Sequence, residues 1–99
     1  MANSETSAFI SGEKAVAAGG TAEALVSASQ RVKSVTIIAK SGNLGQVYVG
    51  GSDVASTTND GLDAGESLDI VAVNWMDLAD IYVDVDTNGE GVDFYAVKA

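Results

Sequence analysis

Gln46-Val47-Tyr48-Val49-Gly50-Gly51-Ser52-Asp53-Val54 is a short β-branched run that stops on two glycines and enters a polar stretch. Val47 and Val49 share one face and Tyr48 takes the other, the period of two that a pleated strand imposes. Gly61-Leu62-Asp63-Ala64-Gly65-Glu66-Ser67-Leu68 then leads into a second apolar run, and Leu78-Ala79-Asp80-Ile81-Tyr82-Val83 into a third. Strand, long glycine-rich turn, strand, polar link and strand, with turn residues at each junction, predict an all-β fold.

The rest of the chain extends this pattern. Arg31 to Ala39 reads as a central strand, with Val35 and Ile37 on one face and Thr36 and Ile38 on the other. Ser41 to Gly45 turns the chain, so that Gln46 to Val49 is expected to return antiparallel to it. Lys14 to Ala18 and Thr21 to Ser27, split by Gly19-Gly20, suggest another hairpin; their alanines allow helix, but no i, i+3, i+4, i+7 set of large apolar residues supports one. Ser52 to Gly65 is a surface loop pinned by Val54 and Leu62, and Glu66 to Val73 is a strand with Leu68, Ile70 and Ala72 inward. Asn74 to Asp80 links it to Ile81–Asp86, where Ile81, Val83 and Val85 alternate with Tyr82, Asp84 and Asp86. Asn88-Gly89 predicts a type I′ hairpin turn into Gly91–Lys98. Six to eight short strands without a long helix indicate one small antiparallel β-sandwich or jelly-roll-like domain over 13–99, preceded by an arm over 1–12.

Ninety-nine residues hold one small core, because a chain of this size buries only about 60 to 70% of its unfolded surface. Such cores often gain stability from a partner subunit. Fourteen acidic residues against five basic ones give a net charge of -9, which argues against a nucleic-acid partner, since phosphate neutralisation needs clustered Lys and Arg. Cysteine and histidine are absent, which removes disulfides, thiolate metal sites and the usual general base. With no proline either, the turns fall to Gly, Asn, Asp and Ser. Met1 to Ser11 lacks the positive flank and apolar run of a signal peptide, so export by that route is not expected. No stretch approaches the ~20 apolar residues of a membrane-spanning helix, and no membrane partner is expected.

Asp84-Val85-Asp86-Thr87-Asn88-Gly89 matches the first half of a calcium-binding loop, but Tyr95 stands where the bidentate Glu belongs and no helices flank it. Asp60, Asp63 and Glu66 could hold Ca²⁺ between subunits or supply a glycosidase carboxylate pair, but a solvated acidic face is the default for so acidic a chain. The serines have no base to activate them, and Gly42 to Gly51 lacks the Gly-Lys-Ser/Thr step of a phosphate loop. These residues predict neither an enzyme nor a bound cofactor. Four residues are candidate contacts with a partner protein or a second subunit. Phe9 and Ile10 stand on the polar arm, either disordered or docked on a neighbour, while Trp75 and Met76 sit in a polar link, either at an interface or capping the core. Tyr48, Tyr82 and Tyr95 fall opposite their strands' aliphatic residues, as on a second, partly covered face.

Arg31 with Ser34-Val35-Thr36-Ile37, then Val47 to Val54, Leu62 to Leu68 and Leu78 to Val83, follow one another in an order that resembles the small β-sandwich virion proteins of tailed bacteriophages, of the head decoration or capsid cement type. The resemblance runs from Ala15 to Val97. It implies a protein on the outer surface of the capsid, bound to the major capsid protein and to itself as a homotrimer, which strengthens the shell by adding contact area across its joints. The alternative is a receptor- or glycan-binding module of a phage head or tail fibre, with Ser52 to Gly65 as the recognition loop.

Overall fold

The structure, a computed structural model, describes residues 8–99. The described chain is all-β. Seven strands, β1 (Phe9–Ala15), β2 (Glu23–Ala24), β3 (Arg31–Ala39), β4 (Val47–Gly50), β5 (Ser67–Asp77), β6 (Tyr82–Val85) and β7 (Gly91–Lys98), are joined by loops and one 3₁₀ turn at Leu78–Asp80. They form two antiparallel sheets, one in the order β1-β7-β3-β5 and the other β2-β6-β4, consistent with a small β-sandwich.

Odd-numbered strands lie in one sheet and even-numbered strands in the other, so every connection crosses from sheet to sheet. The three expected hairpins are therefore corrected. Gly19-Gly20 carries the chain from β1 to β2, Ser41 to Gly45 from β3 to β4, and Asn88-Gly89 from β6 to β7, none of which pair with each other. The residues do turn the chain, as their chemistry requires. Gly89 has φ of 85° while among the described residues no residue type other than glycine has positive φ, and the Glu90 N–H bonds the Thr87 carbonyl at 3.2 Å. That is a type II arrangement, which needs one left-handed position rather than the two of type I′.

The core lies between the sheets. Val32, Val35 and Ile37 of β3 and Val92, Phe94 and Ala96 of β7 face Val47 of β4 and Val83 and Val85 of β6, with Val16, Leu25, Leu78 and Ile81 closing the ends. Each large apolar side chain buried here contributes roughly 1.5–3 kcal/mol relative to exposure, and β-branched Val and Ile fit the pleat without losing much rotamer freedom. Val54 is buried and Leu62 packs on the core, pinning the 51–65 loop at the two expected points.

The N-terminal boundary differs from expectation. Phe9 to Gly12, expected in the arm, is the first half of β1, in register with β7 from Phe9↔Val97 to Ala15↔Gly91; the expected arm's residues 1–7 lie outside the described residues. This seam is close. A Cβ on Gly91 would stand 1.8 Å from the Lys14 carbonyl oxygen, so only glycine lets the two strands meet. The link expected over Asn74 to Asp80 is also corrected: β5 continues to Asp77, whose carboxylate accepts from the Ala79 N–H at 2.9 Å and caps the 3₁₀ turn.

Candidate functional site

Strand register builds the outer face of the four-stranded sheet in rows. Phe9, Val97, Ser34 and Val71 form one; Ser11, Tyr95, Thr36 and Asp69 the next; Glu13, Asp93, Ile38 and Ser67 the third. The first row is mostly apolar and open: Phe9 is 71% and Val71 77% exposed. Phe9, Ser11, Thr36, Tyr95 and Val97 border a shallow groove of about 500 Å³ on this face. Next to the third row, Lys40 reaches Glu13 at 2.6 Å and Asp93 at 2.8 Å. The Asp93 hydrogen bond, then that of Glu13, hold the Lys40 ammonium well above the ordinary lysine range. The face thus grades from an apolar row to an ion-pair cluster.

At β5 the face runs into an irregular edge. Met76 pairs with Val32 and Val71 with Ser34, leaving Ala72, Val73, Asn74 and Trp75 opposite Lys33 alone. This bulge pushes Val73 fully into solvent. Trp75 is half-exposed, and the Arg31 guanidinium stacks over its ring, 4.1 Å from the centroid.

The four contact residues expected from sequence separate into two pairs. Phe9 and Trp75 are exposed, whereas Ile10 and Met76 are partly buried and pack against the core. One exposed and one inward residue at neighbouring positions follow from the strand's two-residue period. Sequence reasoning missed Val71 and Val73. Of Leu68, Ile70 and Ala72, expected inward, Ile70 packs against the core and Ala72 is half-buried, whereas Leu68, near the start of β5, is exposed.

The acidic motifs serve the fold. Asp84 is buried, and its Oδ1 accepts the N–H groups of Gly20 at 2.9 Å and Val85 at 2.8 Å. Asp86 accepts from the Gln46 N–H at 3.1 Å and the Tyr48 hydroxyl at 2.9 Å, and Asn88 from the Gly19 N–H at 2.7 Å. The residues of the calcium-loop pattern therefore tie two segments, 19–20 and 46–48, to β6 and the turn after it. Burial first, then the bond to Asp86, pushes the Tyr48 hydroxyl above the ordinary tyrosine range. Glu66 accepts the Asp63 N–H at 2.7 Å, and Gln46 donates to Asp63 at 2.9 Å. Among the described residues no group of three or more acidic side chains is placed to hold a metal ion.

A second opening, of about 670 Å³, lies between the β1 and β2 edges, with Phe94 and Tyr82 in its lining. Lys14 and Glu23 pair beside it at 2.8 Å, and that bond, with the Ala17 N–H, lowers the Glu23 carboxyl. No helix among the described residues is long and apolar enough to cross a membrane. Comparison of the chain with protein-family models, curated proteins and solved structures finds no match.

Proposed function

We propose that this chain is a passive adhesion protein of a virion shell, a capsid decoration protein of the tailed-phage kind, which seats the outer face of its four-stranded sheet on the major capsid protein. The observation that carries the reading is the set of exposed side chains on one sheet face, Val71, Tyr95 and Phe9, with half-buried Val97 among them and Ser34 between Val97 and Val71. Isolated apolar residues on a surface need no explanation, but several exposed on one sheet face are what an interface presents. The resemblance of the sequence blocks supplies the identity of the partner. The acidic balance suits a protein on the outside of a particle that must stay soluble before it binds.

In this reading the work is mechanical. Contact area added across joints between shell subunits opposes the forces that part them, and no bond is made or broken. The lack of His and Cys, and the engagement of Asp84, Asp86 and Glu66 by backbone N–H groups, support a role without catalysis. The 51–65 loop gives less support to glycan recognition: it holds no aromatic residue, and Thr58 and Asn59 bond within the loop.

The test is to mix the purified chain with expanded, undecorated phage heads and, separately, with host cells and glycan arrays. Stoichiometric binding to heads, lost in a Val71→Lys/Tyr95→Lys variant that still folds, is expected. Binding to cells or glycans with none to heads would sink the reading.

A further inference from the structure

The four-stranded sheet has two edges, and they are made differently. β1 carries Gly12, Glu13 and Lys14, with Lys14 tied to Glu23 across the opening beside it, the kind of charged, interrupted edge that discourages strand addition. β5 is the longest strand of the fold at eleven residues and carries no Lys, its charges being Asp69 and the terminal Asp77. An edge strand presents a row of unpaired backbone groups on its outer side, and at Ala72 to Trp75 the β3 side lacks a pairing as well. The side chains there are apolar and bare: Val71, the fully exposed Val73 and the half-exposed Trp75.

Charge says what fits. Among the described residues, Lys14 and Lys40 have carboxylate partners, while Arg31, Lys33 and Lys98 have no ion pair. All three stand at one end of β5, since Val32 pairs with both Lys98 and Met76, and Arg31 stacks on Trp75. The opposite end carries Asp63, Glu66 and Asp69. Asp77, opposite Arg31, and Asp80 stand at the same end as the three cations, so one edge of a chain with net charge -9 runs from a purely anionic end to a mixed one where cations outnumber these acids. Such an edge is complementary to its own antiparallel copy.

We propose that β5 is a homodimerisation edge, at which two copies pair antiparallel about a two-fold axis near Ala72 and join their sheets into one of eight strands. In that register Val71 lies beside the second copy's Val73, and Asp69 beside the second copy's Trp75 and the Arg31 stacked on it. Each contact occurs twice, as an isologous interface requires. Moving the axis to Val73 would set Asp69 against the second copy's Asp77, a like-charge pair that disfavours the slip. This two-fold contact shares Val71 with the proposed shell face, so Tyr95→Lys, two strands away from the seam, separates the two readings, and the contact differs from the three-fold assembly that the sequence resemblance implies.

Light scattering and sedimentation of the full chain across a concentration series test it. A dimer is expected, and Val73→Lys should weaken it by about a hundredfold, roughly tenfold for each of the two ammonium groups brought into the seam. Val73 is fully exposed, so the variant's far-ultraviolet circular dichroism should match that of the parent. The chain has no cysteine, which permits a second probe. Directly opposed residues of antiparallel strands have Cα atoms about 4.5–5.5 Å apart, within disulfide reach. Ala72→Cys should cross-link to a dimer rapidly under mild oxidation, and Ser11→Cys on the β1 edge slowly. A monomer at every concentration, a trimer, a dimer indifferent to Val73→Lys, or equal cross-linking at both edges would each overturn the proposal.

Discussion

On the outer face of the three-stranded sheet, Tyr48 and Asp84 stand side by side on adjacent strands and are 5% and 1% exposed; on the outer face of the four-stranded sheet, Tyr95 is 55% exposed. The first face is covered by the chain itself. Gly19-Gly20 passes over Asp84 and donates to it, and Gly61 lies so close to Tyr48 that a Cβ there would stand 2.9 Å from the ring. Covering a face in this way takes glycines for close approach and carboxylates for the loop N–H groups, which otherwise lose water without a partner. Among the described residues no loop bonds across the second face, and Val71 and Tyr95 stay exposed on it. One face is finished by intramolecular contacts, and the other is available for intermolecular ones.

The largest effect should come from removing the frame of the open face. Gly91→Ala places a methyl group against the Lys14 carbonyl, so β1 must part from β7 and take Phe9 with it. A loss of about 4 kcal/mol is expected, a fall in melting temperature of roughly 15–30 °C. Urea and thermal unfolding would measure it. An unchanged midpoint would show that the β1–β7 seam is not as close as described.

The covered face should respond next. Asp84→Ala leaves the Gly20 and Val85 N–H groups without their buried acceptor and should cost about 3 kcal/mol, the scale for hydrogen bonds to a charged partner. Tyr48→Phe removes only the hydroxyl donated to Asp86 and should cost about 1 kcal/mol. If the two variants were equally mild, the loops would be resting on this face rather than held by it.

Acid should act on β5. The Asp77 carboxyl is lowered by the Ser29 hydroxyl first, then by the N–H groups of Gln30 and Ala79. A folded-state value below the unfolded one, near 3.9, means that its contribution is present above that pH and lost as pH falls through the folded value. Thermal midpoints measured from pH 5 to pH 2, taken as roughly the span over which such a carboxylate titrates, should fall less steeply in Asp77→Asn than in the parent. Identical slopes would remove Asp77 from the account.

The alternation of Val35 and Ile37, of Val47 and Val49, and of Ile81, Val83 and Val85 made strands and inward faces legible in the sequence, because burial on one side of a pleat leaves a mark at every second residue. The pairing was not legible. Asn88-Gly89 reads alike whether the next strand pairs beside the last or crosses to the other sheet, since a turn motif fixes local dihedrals and not the destination. Asp84 reads as an outward polar residue by alternation, and only the position of Gly20, 64 residues earlier, shows why it is buried. For the open face, Phe9 and Trp75 were visible as aromatic residues in polar surroundings. Val71 and Val73 were hidden by a strand assignment that ended at Val73, whereas β5 runs on to Asp77.

The smallest change in stability should accompany the sharpest test of the comparison. Val71→Lys and Tyr95→Lys alter residues whose side chains already meet solvent, and such substitutions usually stay within about 0.5 kcal/mol of the parent. If the open face works by adhesion, two added ammonium groups must be desolvated or displaced when the partner docks, so binding to undecorated heads should be lost while the melting curve barely moves. Asp84→Ala supplies the mirror image. It weakens the fold from the covered side, and at a temperature where it remains folded it should bind as the parent does. Parent-like binding by the lysine variant, together with lost binding by folded Asp84→Ala, would exchange the roles of the two faces and move the working surface to the loops over Tyr48.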